Sequence, residues 1–576
     1  MDRTKLDLKS ARNYWPIIII NAVLIAFVIL RGFLCMSIMD EVFNIGQSFR
    51  AVQGNVYLVE NWDYFQTGDS FSTPFLYLFY KLTGSTEGIV LYSRLVFIVI
   101  QVLLAVFLYK ILSRFFDRVH SFFAVAVYIT ALALLNYNMW YDNWEAFFRM
   151  IGIFLIFCVI ASGEKLSHKK AYLLIFIAGM AHACMVYAYP TMVIVYVLVL
   201  GLILFYKRKD APKVRNMCAI FYVLGAFSVF LVFLIYVMKI GVKNLFIFNS
   251  VMSDAGLAST GRADQFSMSD ILNRTKLLFV ENFKLYMFPL VIYAVDILLF
   301  VLLRKNKRRT LVFCSMMIIG CLVHLMNSVF RSDSLTSLMM YLTLYIVPLY
   351  LLVRDNAEKK QLYKDLIVIL LVTSYVSGLV YSYTALNGAV KFYAGGRAGV
   401  ILFVLLMGEA LKQTELRFDH KVVFSIFTTL IIGMNVFGLY SHSFDGNRPL
   451  DCTTRFKSGV FKGIYECEES VECYETAEAT LKKIITDEDK TITCGPYAMQ
   501  FYFMTGLKPN AINLWDPNNT DYLFEYYKIY YGEPDIIVLN YRLDVYTNPD
   551  FIDFVNENYQ LVDYTDSFTF YRKSNV

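Results

Sequence analysis

The sequence predicts a mostly α-helical protein that crosses a membrane many times and carries a small C-terminal α/β domain. Three observations lead there. Of 576 residues, 57% are hydrophobic and 17% charged, with a mean hydropathy of +0.51. A soluble chain of this length would carry far more surface charge. The apolar residues fall in blocks of roughly 17–25, the length that crosses about 30 Å of hydrocarbon. Beyond residue 440 the blocks stop, and short apolar strands alternate with helical stretches.

Thirteen blocks can be placed, at 15–37, 88–109, 119–136, 146–162, 171–188, 191–206, 217–239, 285–303, 310–330, 337–353, 366–383, 398–411 and 422–440. Only Tyr189-Pro190 separates the fifth from the sixth, and the block at 398–411 is short. Loop charge sets the orientation. With the N-terminus in the cytoplasm, the inner loops hold 27 Lys and Arg and the longer outer loops before residue 441 hold 10. Positive charge stays inside, so residues 1–14 face the cytoplasm and Asp40 faces out. The first block runs on without a small-residue cleavage site and is read as an anchor.

Residues 441–576 hold 12 Lys and Arg against 22 Asp and Glu, a net of −10, which leaves +16 on the membrane part. The overall +6 hides this split and gives no argument for nucleic acid as a partner. Strands are expected at 491–495, 511–515 and 535–540, helices at 476–486, 521–532 and 551–558, and a closing hairpin at 559–573. Alternation of this kind suggests a mostly parallel sheet. The division is therefore 1–440 in the membrane and 441–576 outside it.

Cys35, Cys158, Cys184, Cys218, Cys314 and Cys321 lie in or beside the blocks and read as small apolar residues. Cys452, Cys467, Cys473 and Cys494 lie in the outer domain without a histidine at finger spacing, which argues against zinc. One disulfide among these four stays open.

The first outer loop, 38–86, is too long for a simple connector. Phe43, Ser48 and Val52 space like the inner face of a helix along the membrane, ended at Gly54. Asp40 and Glu41 stand where the first block ends, as end-of-span markers or as chemistry. NYNMWYDNWEAFFRM brings Asp142, Glu145 and Arg149 to the same face. Arg94 lies about one turn inside the second block, where an arginine snorkels, pairs or binds a ligand. Arg262, Arg331, Lys391 and Arg397 are further outer-face cations; Arg331 has the alternative of pairing with Asp333. His182 sits in the outer half of the fifth block, where a satisfied core histidine is the competing reading. SDAGLASTGRADQFS, at 253–267, reads as a connector or as a lid.

A first span ending in Asp40-Glu41, then Gly54-x-x-Tyr57, Trp62, Gly68 and Pro74, then a span opening with Arg94, resembles the GT-C superfamily of glycosyltransferases. That group includes protein O-mannosyltransferases and the aminoarabinose transferase of lipid A. The motifs cover the first ~210 residues and the architecture the rest; there is no WWDYG signature of the oligosaccharyltransferase kind. The resemblance implies transfer of a sugar from a polyprenyl-phosphate carrier to a lipid, glycan or protein acceptor on the outer face of a cell membrane. In that chemistry Asp40 is the base and Glu41 supports it, by holding the acceptor or by binding a divalent metal with Asp142 or Glu145. Arg94 and the other outer cations bind the lipid phosphate. A transporter or flippase, or a polysaccharide polymerase or ligase, are the alternatives. Most charges gather on one face, with Asp296 the exception, and this favours an interfacial enzyme over a transporter.

The orientation is testable. Single cysteines engineered near Lys207 and Asn518 should differ in intact cells: an impermeant maleimide should label the second and leave the first untouched. Labelling near Lys207 would invert the assignment of faces.

Overall fold

The structure is a computed structural model that describes residues 15–37, 40–61, 66–131, 137–205, 212–247, 268–304, 306, 308–331, 337–353, 357–384, 392–393, 395–414, 419–441, 447–512, 514, 520–540 and 549–574. Helices occupy all thirteen apolar blocks: Trp15–Arg31, Ile89–Phe115, Arg118–Thr130, Tyr141–Ser162, His168–Ala188, Val193–Phe205, Pro212–Ile240, Met268–Leu302, Arg309–Arg331, the broken pair Ser337–Thr343 and Ile346–Val353, Ala357–Thr384, Gly399–Lys412 and His420–Ser441. A single turn at Pro190–Met192 parts the fifth from the sixth, as the proline predicts. The chain is a polytopic helical membrane protein.

By length and composition, seven of the described helices suffice to cross a membrane. Others fall short. Arg118–Thr130 and Val193–Phe205 have 13 residues each, and at 1.5 Å per residue they rise only about 20 Å. Gly399–Lys412 is short for a different reason: every residue from Gly399 to Leu411, Glu409 included, is buried among the other helices, as a helix apolar on nearly every side requires. The Met268–Leu302 helix begins well before the expected 285 and takes up the end of the 241–284 loop; the glycine-spaced stretch expected to form a lid lies outside the described residues.

The described residues of the tail form seven short strands. β1 (Thr454–Arg455) and β2 (Tyr465–Glu466) form an antiparallel pair. β3 (Thr491–Cys494), β4 (Lys508–Pro509), β5 (Ile536–Asn540), β6 (Tyr559–Tyr564) and β7 (Phe568–Lys573) form one sheet in the order β4-β3-β5-β7-β6. The β4-β3-β5 pairings are parallel, and β6-β7 is the expected antiparallel hairpin. The strand expected at 511–515 is not among the described strands. Its place at the sheet edge goes to β4, where Pro509 has no N–H to extend the ladder. Helices Glu468–Ile484, Thr520–Ile529 and Pro549–Asn558 complete the region. The first has Glu468 and Glu469 in its first turn and Lys482 and Lys483 in its last, which suits the helix dipole.

The long segment after the first helix forms the helix Asp40–Arg50 and turns at Gly54, whose φ of 95° favours a residue without Cβ. The expected surface helix is instead buried from Glu41 to Arg50, because the tail covers it. Val42, Phe43, Ile45 and Phe49 share one apolar core with Phe501, Phe503, Ile536 and Phe568. Arg50, fully buried, pins this seam: it donates to the carbonyls of Glu60 at 2.8 Å and Ala511 at 2.9 Å, and to Asn55 Oδ1 at 3.3 Å. Gln53 donates to the carbonyls of Tyr502 and Leu507 at 3.0 and 2.9 Å.

Arg50→Ala takes the guanidinium from the Ala511 carbonyl and from Asn55 Oδ1, while the Glu60 carbonyl keeps only the Tyr526 hydroxyl; hydrogen bonds to charged groups contribute about 1.5–3 kcal/mol each. The expected result is a clear drop in the thermal midpoint of the detergent-solubilised chain and faster protease release of the tail. An unchanged melting curve would show that the seam does not depend on Arg50.

Candidate functional site

Asp40 and Glu41 open one helix and leave it about 100° apart. Glu41 is 2% exposed. Its carboxylate accepts from Arg94 Nε at 2.7 Å and from Nη2 at 2.6 Å, the two-pronged geometry that makes such pairs strong. Arg94 donates its remaining N–H groups to the carbonyls of Gly32 (2.9 Å), Leu34 (3.2 Å) and Cys35 (2.7 Å). All five donors of the guanidinium are then engaged. In this arrangement Arg94 neither snorkels nor offers an N–H to a phosphate; it is the counter-charge of Glu41. Asp40 is half-buried.

The same division recurs on the Tyr141–Ser162 helix. Glu145 is fully buried and accepts from Arg149 Nε at 2.7 Å, one turn along, and from the Tyr381 hydroxyl at 2.6 Å. Arg149 also donates to the Gly395 carbonyl at 3.3 Å. Asp142, three residues earlier, is half-buried. Tyr141 lies within the electrostatic reach of both Asp40 and Asp142, which puts the two aspartates at one end of the bundle. No three of Asp40, Glu41, Asp142 and Glu145 lie close enough to share a metal ion among the described residues.

Tyrosines connect these groups. The Tyr141 and Tyr189 rings lie 5.9 Å apart, and Tyr189 meets Tyr381 edge-on at 4.8 Å. The Tyr189 hydroxyl is 2.7 Å from Thr384 Oγ1. Two residues beyond Gly395, Arg397 is 5% exposed, donates to the Ala131 carbonyl at 3.1 Å, and lies 4.8 Å over the Tyr128 ring. The site thus runs from Asp40 and Asp142 through the tyrosines to Glu145, Arg149 and Arg397. The sequence offered no way to select Tyr141, Tyr189 and Tyr381 from 42 tyrosines.

His182 is fully buried, with Nδ1 2.6 Å from the Tyr222 hydroxyl and Nε2 3.4 Å from the Arg149 carbonyl. From inside the core its ring braces the Arg149 helix. Arg262 and Lys391 lie outside the described residues, as does the side chain of Arg331, which ends its helix. Of the loop motif, Trp62 lies outside the described residues, while the Tyr57 hydroxyl is 2.7 Å from Thr73 Oγ1 and Pro74 opens the Thr73–Thr83 helix. Gly68 has a steric reason: a Cβ there would strike the Tyr141 side chain and come within 2.7 Å of the Ala188 carbonyl oxygen. The loop is pressed onto the site at that point. Ser72 helps hold it, donating to the Met139 carbonyl at 2.5 Å and accepting from Trp144 Nε1 at 2.9 Å.

Removing one partner of a buried ion pair costs about 3–5 kcal/mol, whereas replacing both with apolar residues is often neutral. Arg94→Ala should therefore lower the thermal midpoint strongly, and Arg94→Met with Glu41→Leu should recover only part of it, since the carbonyls of Gly32, Leu34 and Cys35 still lose their Arg94 donor. If Arg94→Ala melted like the wild type and lost only affinity for a polyprenyl phosphate, Arg94 would be a ligand-binding residue after all.

The sequence matches no protein-family profile and no curated protein. Among solved structures, the chain is similar to ArnT from Cupriavidus metallidurans bound to undecaprenyl phosphate, at 12% identity and a TM-score of 0.39, covering 98% of each chain. The apo state of that protein gives 11% identity and a TM-score of 0.37 over 97% of this chain and 98% of the other. Overlaps of that order do not define a family.

Proposed function

We propose that this protein is a membrane glycosyltransferase that moves a sugar from a polyprenyl-phosphate carrier to an acceptor at the outer face. The observation that supports this best is the division of the acids. Each glutamate is locked to an arginine, and each nearby aspartate remains half-buried at the same end of the bundle. The two ion pairs form a rigid frame, and the two half-buried aspartates stand beside it.

In this reading Asp40 takes the proton of the acceptor hydroxyl or amine as the acceptor attacks the anomeric carbon. The bond to the lipid phosphate breaks, and the phosphate leaves with its electron pair. Such a donor brings its own leaving group, so the protein has to supply a base, a cation and a fixed geometry. Arg397 serves as the cation facing the departing phosphate, with Asp142 orienting the acceptor. The Glu41–Arg94 and Glu145–Arg149 pairs position these groups and take no part in bond making. The acidic tail, packed on the loop that carries Asp40, contributes to acceptor binding.

General-base catalysis contributes typically 10²–10⁴-fold, so Asp40→Asn should slow transfer by about that factor with donor binding near wild type. Arg397→Lys should weaken donor binding, and Arg397→Ala should weaken it more, because a lysine keeps the charge and loses the planar fork. The measurements are transfer from a polyprenyl-phosphate sugar and separate donor binding on folded variants. Full activity of Asp40→Asn overturns the base assignment.

One observation favours the transport reading: Asp296 is fully buried inside the Met268–Leu302 helix, near Tyr293 and Tyr345. An intramembrane carboxylate of this kind is a common feature of ion and proton paths. Vesicles that moved a polyprenyl-phosphate sugar across the bilayer with Asp40→Asn present would support it.

A further inference from the structure

The seam between the first helix and the tail holds a second concentration of reactive groups. After Arg31 the chain runs alongside β2: the Tyr465 N–H donates to the Phe33 carbonyl at 2.8 Å, and the Cys35 N–H donates to the Tyr465 carbonyl at 2.9 Å. The Met36 N–H donates to Glu466 Oε2 at 2.8 Å. This register sets Cys35 Sγ 3.3 Å from Cys452 Sγ, across 417 residues of sequence, with both side chains buried. Cys452 Sγ is also 3.4 Å from Glu466 Oε1. Cys35 has a φ of 59°, a left-handed conformation that residues with a Cβ rarely adopt and that the flanking ladder holds in place.

We propose that Cys35 and Cys452 form a disulfide that ties the outer end of the first helix to the tail. A thiolate metal site is the other arrangement these residues suggest, since Cys35, Cys452 and Glu466 converge. The carboxylate, however, is already engaged. Glu466 Oε1 accepts from Asn447 Nδ2 at 2.9 Å and from the Cys467 N–H at 3.0 Å, and Oε2 accepts from Met36. Two sulfurs alone fall short of the four ligands of a structural zinc site. A disulfide needs only the sulfurs, drawn from 3.3 Å to about 2.05 Å.

The pair is also differentiated for exchange. Cys35 lies beyond the end of the first helix; a hydrogen bond from Cys452 lowers its thiol below the ordinary value, with Arg31 and Arg94 adding to the effect and burial opposing it. Cys452 is raised by that hydrogen bond, by burial and by Glu466. Either cysteine can open the exchange, and Cys35 serves here as the attacking thiolate. It displaces one thiol from an external disulfide to give a mixed disulfide. Cys452 then loses its proton to the leaving thiolate and attacks the Cys35 sulfur, releasing the second thiol. Two protein thiols and one external disulfide become one protein disulfide and two external thiols. Burial places this exchange before the tail docks, or during its local opening. The bond would secure a working part of the site, because the Cys35 carbonyl accepts from Arg94 at 2.7 Å and Asp40 follows five residues later.

The test uses the full chain, purified in detergent without reductant, exposed to oxidised glutathione, then denatured in an alkylating reagent and mapped by mass spectrometry. Eight of the ten cysteines should be alkylated, with one peptide pair joined through Cys35 and Cys452 that separates on reduction. Reductant should lower the melting temperature of the wild type and leave a Cys35→Ala, Cys452→Ala double variant unchanged. Ten alkylated cysteines, a link between other positions, or one bound zinc per chain that Cys452→Ser abolishes would each overturn the proposal. None of these readings depends on transfer activity, so failure here and failure of the glycosyltransferase reading are separable.

Discussion

The site depends on the pairing of Glu41 with Arg94. The guanidinium gathers the carbonyls of residues 32, 34 and 35 together with the carboxylate two residues into the next helix. Those carbonyls follow the last turn of the first helix, where they lack partners within the helix itself. One arginine on the second span therefore closes off the first span and fixes the angle at which the Asp40–Arg50 helix leaves it. Desolvating two charges is expensive, and only near-complete hydrogen bonding offsets it. Here the cation has that satisfaction, which is why such an arrangement is compatible with 4% exposure of Arg94.

The tail extends the same constraint. It packs as a lid on the loop helix, sharing its apolar core and engaging Arg50 and Gln53. Val42, Phe43 and Phe49 would otherwise be exposed to water at the membrane surface. Covering them with the tail stabilises the loop and holds Asp40 in register with Tyr141 and Asp142. The loop is pressed from below by the bundle, at Gly68, and from above by the sheet.

Most of the architecture was legible because it follows from periodicity and length. Each block of apolar residues became a helix, with Met268–Leu302 and Ala357–Thr384 starting earlier than expected, and the 559–573 hairpin formed as read. The errors lie where distant segments meet. Composition shows that 40–50 is amphipathic and leaves open that its outer face will be covered by residues 500 positions away in the chain. Cys35 read as a small apolar residue because its neighbours are apolar; its partner at 452 is contributed by the seam with β2. His182, read both as a substrate contact and as a core residue, is buried against a hydroxyl from Tyr222, which lies on another helix.

The roles of the acidic residues could be anticipated only in part, and helix geometry explains which part. Two adjacent positions on a helix point about 100° apart, so Asp40 and Glu41 could never share one task through convergent side chains. Position alone does not say which of them turns inward. Reach does: a glutamate extends one methylene further and meets a guanidinium on the neighbouring span, while the shorter aspartate stays near its own backbone. On the Tyr141–Ser162 helix Glu145 and Arg149 are one turn apart, and Asp142, three residues before Glu145, lies on the same side in the first turn. Two helices from separate parts of the chain thus arrive at one pattern, a locked glutamate beside a half-buried aspartate. Charge-compensated, rigid pairs beside the two aspartates are the frame that the proposed transfer would use, because such a frame does not respond to the charge that a reaction moves.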